Sequence, residues 1–162
     1  MEDARGHYNF VLQQEPYHDG VLPNMGLVLL DTNEYTKAVE TLEMCLVLYP
    51  KKIHEIARPL ALAYHFAGND SRAIFYYEQA LQFNSNNAKL HFDFAVSLQD
   101  AGEVRFCKRY SNLLPSEDNI LFKIVRANIE YNKAVALDPE YSEVLLNILY
   151  CDFEREKLQS LL

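Results

Sequence analysis

Residues 61–80 read Ala-Leu-Ala-Tyr-His-Phe-Ala-Gly-Asn-Asp-Ser-Arg-Ala-Ile-Phe-Tyr-Tyr-Glu-Gln-Ala, and this stretch decides the fold. Small and aromatic side chains recur in it three or four residues apart, interrupted by one glycine: Ala61, Tyr64, Gly68, Ala73, Tyr77 and Ala80. Spacings of three and four place side chains on one face of a helix, and glycine is typical of a helix end. The stretch therefore predicts two short helices joined by a tight turn at residues 68–70, with Asp70 or Ser71 as the cap of the second helix.

The same pattern recurs along the chain. Pro16 and Pro50 lie 34 residues apart, and the residues before them keep that step. A further step, one residue longer, leads into residues 61–80. The aligned triplets are Ala4, Ala38 and Ala73; then Tyr8, Leu42 and Tyr77; then Val11, Cys45 and Ala80. A period of this length indicates a helical repeat rather than a single irregular domain.

Over about three-quarters of the chain this pattern resembles the tetratricopeptide repeat, a helix–turn–helix unit of 34 residues whose helices are called A and B. The resemblance implies an all-α fold, a right-handed superhelical solenoid of antiparallel helix pairs. Small residues on helix A are expected where helix B crosses closely: Gly26, Ala61 and Ala95. Small residues on helix B face them: Ala38, Ala73 and Ala127. Large residues are expected between successive units: Tyr64, Tyr77 and Tyr131.

The register divides the chain into five segments. Residues 1–18 resemble helix B of a partial repeat, from which we expect the chain to begin inside a longer array. Residues 19–52 and residues 54–87 each form one repeat. Residues 88–139 form an irregular repeat, and residues 140–162 form a C-terminal amphipathic helix.

The irregular repeat has two interpretations, because its helix A is predicted to end at Ala101–Gly102 but the next matching alanine is Ala127. In one, residues 103–126 are an insertion between helices A and B. In the other, residues 104–114 are a degenerate helix B, followed by a shortened unit whose helix starts near Ser116 and continues to about Leu137. Pro115 followed by Ser116, Glu117 and Asp118 is a strong helix start, which favours the second interpretation.

Composition excludes several functions. The net charge of −8, from 15 basic and 23 acidic residues, argues against a nucleic-acid partner, because phosphate binding needs a basic face. No apolar stretch is long enough to insert in a membrane. Cys45, Cys107 and Cys151 are widely spaced and odd in number, which is typical of reduced thiols. We therefore predict a cytoplasmic location, with the nucleus as a second possibility.

No catalytic, cofactor or metal site is predicted. The sequence lacks the GxSxG, HExxH, P-loop and Rossmann motifs. His54, His65 and His91 match no zinc-ligand spacing, so we interpret them as core or surface residues.

The resemblance also implies a binding site, since members of this family hold partners in a groove lined by the A helices. Carried over by position, that groove presents Asn24, Leu27, Asp31, Arg58, Leu62, His65, Lys89, Phe92, Val96 and Gln99. The expected function is a protein-interaction scaffold that binds a peptide or helix of a partner protein, with no enzyme activity. The alternatives are a regulatory or targeting module of a larger protein or enzyme, and a segment that self-associates through exposed repeat ends.

Overall fold

The computed structural model describes residues 2–109 and 118–142, with side chains for residues 4–101 and 126–142. Seven α-helices account for most of these ranges: α1 (Glu2–Gln14), α2 (Val21–Asp31), α3 (Tyr35–Leu48), α4 (Ile53–Phe66), α5 (Asp70–Phe83), α6 (Ala88–Arg109) and α7 (Asp118–Leu137). A short 3₁₀ turn, Pro50–Lys52, precedes α4. No strand occurs in the described residues, and the predicted all-α class is confirmed. The predicted C-terminal helix falls largely on residues 143–162, which lie outside the described residues.

The chain divides into two compact units, Met1–Ser85 and Asn86–Leu162. In the first unit each helix packs on the next from α1 to α5, and α2 also packs on α4. By register α2 and α4 are A helices, whereas α1, α3 and α5 are B helices. In the second unit α6 packs on α7. The packing of successive short helices is what the repeat pattern predicts.

Both turns between helices A and B of the first unit have the same geometry. The amides of Asn33 and Glu34 donate to the carbonyls of Leu30 and Leu29, at 3.0 and 2.8 Å. One repeat later, the amides of Gly68 and Asn69 donate to the carbonyls of His65 and Tyr64, at 2.9 and 2.8 Å. This is the Schellman arrangement, in which the residue after the helix is left-handed. Asn33 and Gly68 accordingly have φ of 60° and 77°.

The B helices also end alike. The amides of Glu15, Tyr49, Asn84 and Asp138 each donate to the carbonyl four residues earlier, at 2.8 to 3.0 Å. Those carbonyls belong to the register residues Val11, Cys45, Ala80 and Ala134. The repeated cap places α7 in the same register as the B helices of the first unit. The residues that the sequence aligned therefore occupy equivalent places at the ends of four helices.

Packing explains the small residues of the repeat. Gly26 of α2 is buried, and a Cβ atom placed on it would lie 2.6 Å from Cγ of the fully buried Leu42 on α3. No side chain larger than hydrogen can be accommodated there without displacing Leu42. The other predicted small positions are also buried: Ala38, Ala61, Ala73, Ala95 and Ala127.

Tyr64 joins two consecutive repeats. Its hydroxyl donates a hydrogen bond to the Glu43 carboxylate on α3, and its ring stacks on Tyr76 of α5, with centroids 5.7 Å apart. The guanidinium of Arg72 lies 5.9 Å from the Tyr64 ring centroid. Burial, and then the bond to Glu43, raise the pKa of Tyr64 above its ordinary value. The residue therefore stays a neutral donor that holds α3, α4 and α5 together.

The predicted end of helix A in the third repeat is wrong. Helix α6 does not end at Ala101–Gly102 but continues to Arg109. The physical reason lies in the residues after each glycine: Gly68 precedes Asn69 and Asp70, which favour turns, whereas Gly102 precedes Glu103 and Val104, which continue a helix. Helix α7 spans Asp118–Leu137 and ends where the shortened-unit interpretation places it. The first six residues of the predicted degenerate helix, residues 104–109, are instead the end of α6, so they do not start a separate helix B. Its residues 110–114 and the predicted start at Ser116 lie outside the described residues.

A buried polar pair joins α6 to α7. His91 Nδ1 lies 2.6 Å from a carboxylate oxygen of Glu130, and both side chains are about 6% exposed. The ammonium of Lys133 lies 3.0 Å from the other oxygen of the same carboxylate. His91 is therefore a core histidine with an acidic partner. The sequence pattern placed it among core or surface residues without identifying Glu130.

Candidate partner-binding face

The predicted site residues of α2 and α4 form one solvent-accessible face of the first unit, here called the A-helix face: Asn24, Leu27, Asp31, Arg58, Leu62 and His65. The first three are exposed and the last three are half-buried. The intervening residues are in the core, as Met25, Gly26 and Leu29 are on α2. Because α2 and α4 pack side by side, their accessible residues belong to one surface.

The turn hydrogen bonds refine the alignment of the two A helices. Leu30 and His65 offer their carbonyls to equivalent amides, so His65 corresponds to Leu30 rather than to Asp31. The same step pairs Leu27 with Leu62. Position Asp31 then corresponds to Phe66, which the sequence pattern did not single out. The apolar pair Leu27 and Leu62 is the part of the A-helix face that both repeats share.

An aromatic stack lies at the end of this face. The Phe66 side chain is 53% exposed, although its ring packs on Tyr35 with centroids 5.0 Å apart. The His65 ring is also 5.0 Å from the Phe66 ring. Phe66 follows Leu62 by four residues, so a helical spacing argument would have found it. Tyr35 belongs to helix B, and only the packing of α3 against α4 brings it to this site.

The polar members of the A-helix face do different things. Asn24 Nδ2 donates a 2.8 Å hydrogen bond to the Gly20 carbonyl, which leaves its side-chain oxygen able to accept a bond from a ligand. Asp31 is an exposed carboxylate at the end of α2, and Arg58 supplies positive charge on α4. This surface has two apolar side chains together with groups of both charges. It suits a peptide, because a peptide can offer apolar, acidic and basic groups to match them.

Two of the four predicted site residues of the second unit, Phe92 and Gln99, are less available. The Phe92 ring lies against Tyr131 and Tyr141, with centroids 5.6 and 5.0 Å away. Gln99 Oε1 accepts a 2.8 Å hydrogen bond from the Tyr131 hydroxyl. Lys89 is exposed and Val96 is half-buried. Phe92 and Gln99 thus hold α6 on α7, which reduces what they can offer to a partner.

Other kinds of site have no support in the described residues. No three histidine, cysteine or acidic side chains come together there in a way that could hold a metal ion. Nor does any helix among them combine the length and apolarity that a bilayer crossing requires. Cys45 is buried, and burial raises the pKa of its thiol above the ordinary value, which keeps it protonated and unreactive. The side chain of Cys107 and the whole of Cys151 lie outside the described residues.

Comparison with protein families gives one match: residues 60–87 match the tetratricopeptide repeat model. The matched range covers helix B of the second repeat and the end of its helix A. The comparison with curated protein sequences finds no match.

Solved structures of the protein MamA share the fold. The AMB-1 protein superposes with a TM-score of 0.65 at 21% identity, over 85% of this chain and 69% of that one. The Desulfovibrio magneticus RS-1 protein gives 0.64 at 19%, over 86% and 67%. A further MamA crystal structure gives 0.63 at 19%, over 82% of this chain and 65% of that one. The present chain thus spans slightly less than two-thirds of the length of that last relative.

These comparisons confirm the resemblance and support a protein-interaction scaffold in general terms. At this identity the structural likeness establishes the fold alone. Residues 60–87 therefore carry a tetratricopeptide repeat, and the chain shares the helical-repeat fold of the MamA structures.

Proposed function

We propose that this protein binds a segment of a partner protein along the A-helix face of α2 and α4. The segment is an extended peptide or a helix, and it places apolar side chains against Leu27 and Leu62. Polar groups of the segment meet Asn24, Asp31, Arg58 and His65 around that centre. In the second unit, the exposed Lys89 and the half-buried Val96 of α6 offer a separate surface of the same kind.

One observation carries the proposal: Leu27 is 44% exposed on one side of α2, and the other side of that helix is core. Its equivalent, Leu62, is half-buried and lies on the neighbouring A helix. Two accessible leucines on adjacent helices form an apolar centre with a polar rim, which is the composition of a protein interface. Neither leucine is among the fully buried core residues, so packing of the fold does not account for an apolar side chain at these two positions.

The test is capture of partners from cell lysate with the wild-type chain and with the double variant Leu27→Glu plus Leu62→Glu. Glutamate is a good helix former, so helicity by circular dichroism should be retained while the apolar centre is lost. We expect at least a roughly tenfold loss of the captured partner. Phe10→Glu is the matched control, because Phe10 is 66% exposed on α1 and lies off the A-helix face.

Equal capture by wild type and the double variant would contradict the proposal, as would equal loss with Phe10→Glu. Replacement of Phe92 would not test binding, because the loss of its contacts with Tyr131 and Tyr141 would destabilise the second unit. The identity of a captured partner would also test the predicted cytoplasmic location, which stays a prediction.

A further inference from the structure

Exposed large apolar side chains of the first unit are concentrated on the B helices. Of the nine such residues in it, six lie on α1, α3 and α5: Phe10, Met44, Val47, Leu48, Phe75 and Phe83. Val47 is 79% exposed, more than any other large apolar residue described. This surface does not belong to the A-helix face, so the proposed function does not explain it.

Three of the six form a stripe on α3. Met44, Val47 and Leu48 are spaced by three and one, with Glu40 four residues before Met44, so the four lie on one side of the helix. The opposite side of α3 carries its buried residues Ala38, Leu42 and Cys45. We call Glu40, Met44, Val47 and Leu48 the α3 stripe. It lies on the side of α3 opposite those buried residues.

The neighbouring repeats show that the fold does not need apolar residues there. At the register positions of Met44, Val47 and Leu48, α1 carries Phe10, Gln13 and Gln14, and α5 carries Gln79, Gln82 and Phe83. Among these three B helices, α3 alone is apolar at all three positions. Glutamine is thus an accepted residue on this side of a B helix, and the α3 stripe has a reason other than folding.

The charges at the two ends of the stripe identify an occupant. Glu40 is exposed on its N-terminal side, and Lys51 is exposed in the 3₁₀ turn just beyond its C-terminal side. Along the chain the order is Glu40, Met44, Val47 and Lys51. Two copies of this surface that run in opposite directions are complementary, because the acidic end of one faces the basic end of the other. In an antiparallel pair, Glu40 of each chain meets Lys51 of the other, while Met44 meets Val47.

We infer that the α3 stripe is a self-association surface, which binds the α3 stripe of a second copy of this chain about a two-fold axis. Opposed helix dipoles add to the complementarity, since antiparallel helices place unlike ends together. One helix of this length offers a small contact area, so the dimer is weak and concentration-dependent. This surface is distinct from the exposed repeat ends, which are the other candidates for self-association.

The test is sedimentation equilibrium of the full chain over a wide concentration range. Wild type is expected to approach twice the monomer mass as concentration rises. The triple variant Met44→Gln, Val47→Gln and Leu48→Gln should stay monomeric with unchanged helicity, because each of these positions carries glutamine in at least one other B helix. A strictly monomeric wild type, or a triple variant that still dimerises, would overturn the inference.

Charge reversal separates this pairing from non-specific adhesion. Glu40→Lys alone and Lys51→Glu alone each place like charges together and should weaken the dimer by at least roughly fivefold. The double reversal Glu40→Lys plus Lys51→Glu restores opposite charges and should recover most of the affinity. Failure of the double variant to recover would exclude the antiparallel register. Leu27→Glu plus Leu62→Glu should leave the dimer intact, so the two proposals can fail separately.

Discussion

At the residue scale, the stability of the repeat depends on close contacts that the addition of a methyl group or the loss of a proton would disrupt. Gly26 permits Leu42 to pack on the backbone of α2, and Tyr64 must stay protonated to donate to Glu43. In both cases the side chain that the repeat requires is set by a specific neighbour on another helix. Hydrophobicity alone would allow many alternatives at these positions.

Gly26→Ala should therefore destabilise the protein. The added methyl group meets the buried Leu42 side chain, and such overpacking costs about 1–3 kcal/mol, against a gain of up to about 1 kcal/mol in helix propensity. Urea unfolding followed by circular dichroism measures the net loss. Gly6→Ala on α1 is the control, because no atom outside the local helix backbone lies within 4 Å of the added Cβ, and it should be neutral or stabilising. A stabilising Gly26→Ala would show that Leu42 moves freely.

At the scale of elements, short helices are held by the residues just outside their ends. Glu34 precedes α3 and bonds to two cations: the Arg5 guanidinium on α1 and the ammonium of Lys37, 2.7 Å away. The bond from Arg5, then the bond from Lys37, hold the pKa of Glu34 at about 2. This ion pair joins α1 to the turn between α2 and α3.

The sign of the pH dependence follows from the lowered pKa. A carboxylate with a folded pKa of about 2 and an unfolded pKa of about 4.3 stabilises the fold above the higher value. That contribution is lost as the pH falls through the lower value. The melting temperature of wild type should exceed that of Glu34→Gln at neutral pH, and the difference should shrink between about pH 4 and pH 2. A constant difference over this range would contradict the pairing.

At the scale of the whole molecule, the two units differ in the helices that they pack and in the contacts inside their cores. The first unit stacks five helices on short repeats, whereas the described part of the second packs two longer helices. The first relies on apolar and aromatic contacts, with Ala38, Leu42 and Tyr77 completely buried. The second adds a buried polar contact inside its core, between His91 and Glu130. Removing one member of such a buried pair leaves the other in a low-dielectric environment.

Glu130→Ala should thus strongly weaken the second unit. Leaving the buried His91 side chain without Glu130 costs about 1–3 kcal/mol, and Lys133 also loses its contact. Lys133→Ala should cost no more than about 1 kcal/mol, because that side chain is 51% exposed. Chemical unfolding of both variants gives the comparison. Equal losses would mean that the carboxylate serves mainly the exposed lysine and not His91.

Much of the first unit could be predicted from sequence, because its repeats agree with local preference. Asn33 and Gly68 both tolerate the left-handed backbone that the turn needs, and the register residues before Pro16 and Pro50 fall at equivalent helix ends. Turns depend on neighbours within a few residues, so the sequence predicts them. The cap of α5 was predicted one or two residues late, because Asn69 rather than Asp70 or Ser71 accepts the amide hydrogen bond of Arg72. The same reasoning wrongly predicted a helix end at Gly102, because the residues after Gly102 favour a helix over a turn and α6 continues through them.

The sequence by itself determined the all-helical class, the repeat period and the core residues, since these follow from spacing that a helix converts into a face. Only the tertiary structure decided which accessible residues share a surface. It aligned His65 with Leu30, brought Tyr35 to Phe66, paired His91 with Glu130, and drew Phe92 and Gln99 into contacts with Tyr131. These contacts join residues on different helices, and the geometry between helices comes from side-chain packing that no local pattern encodes.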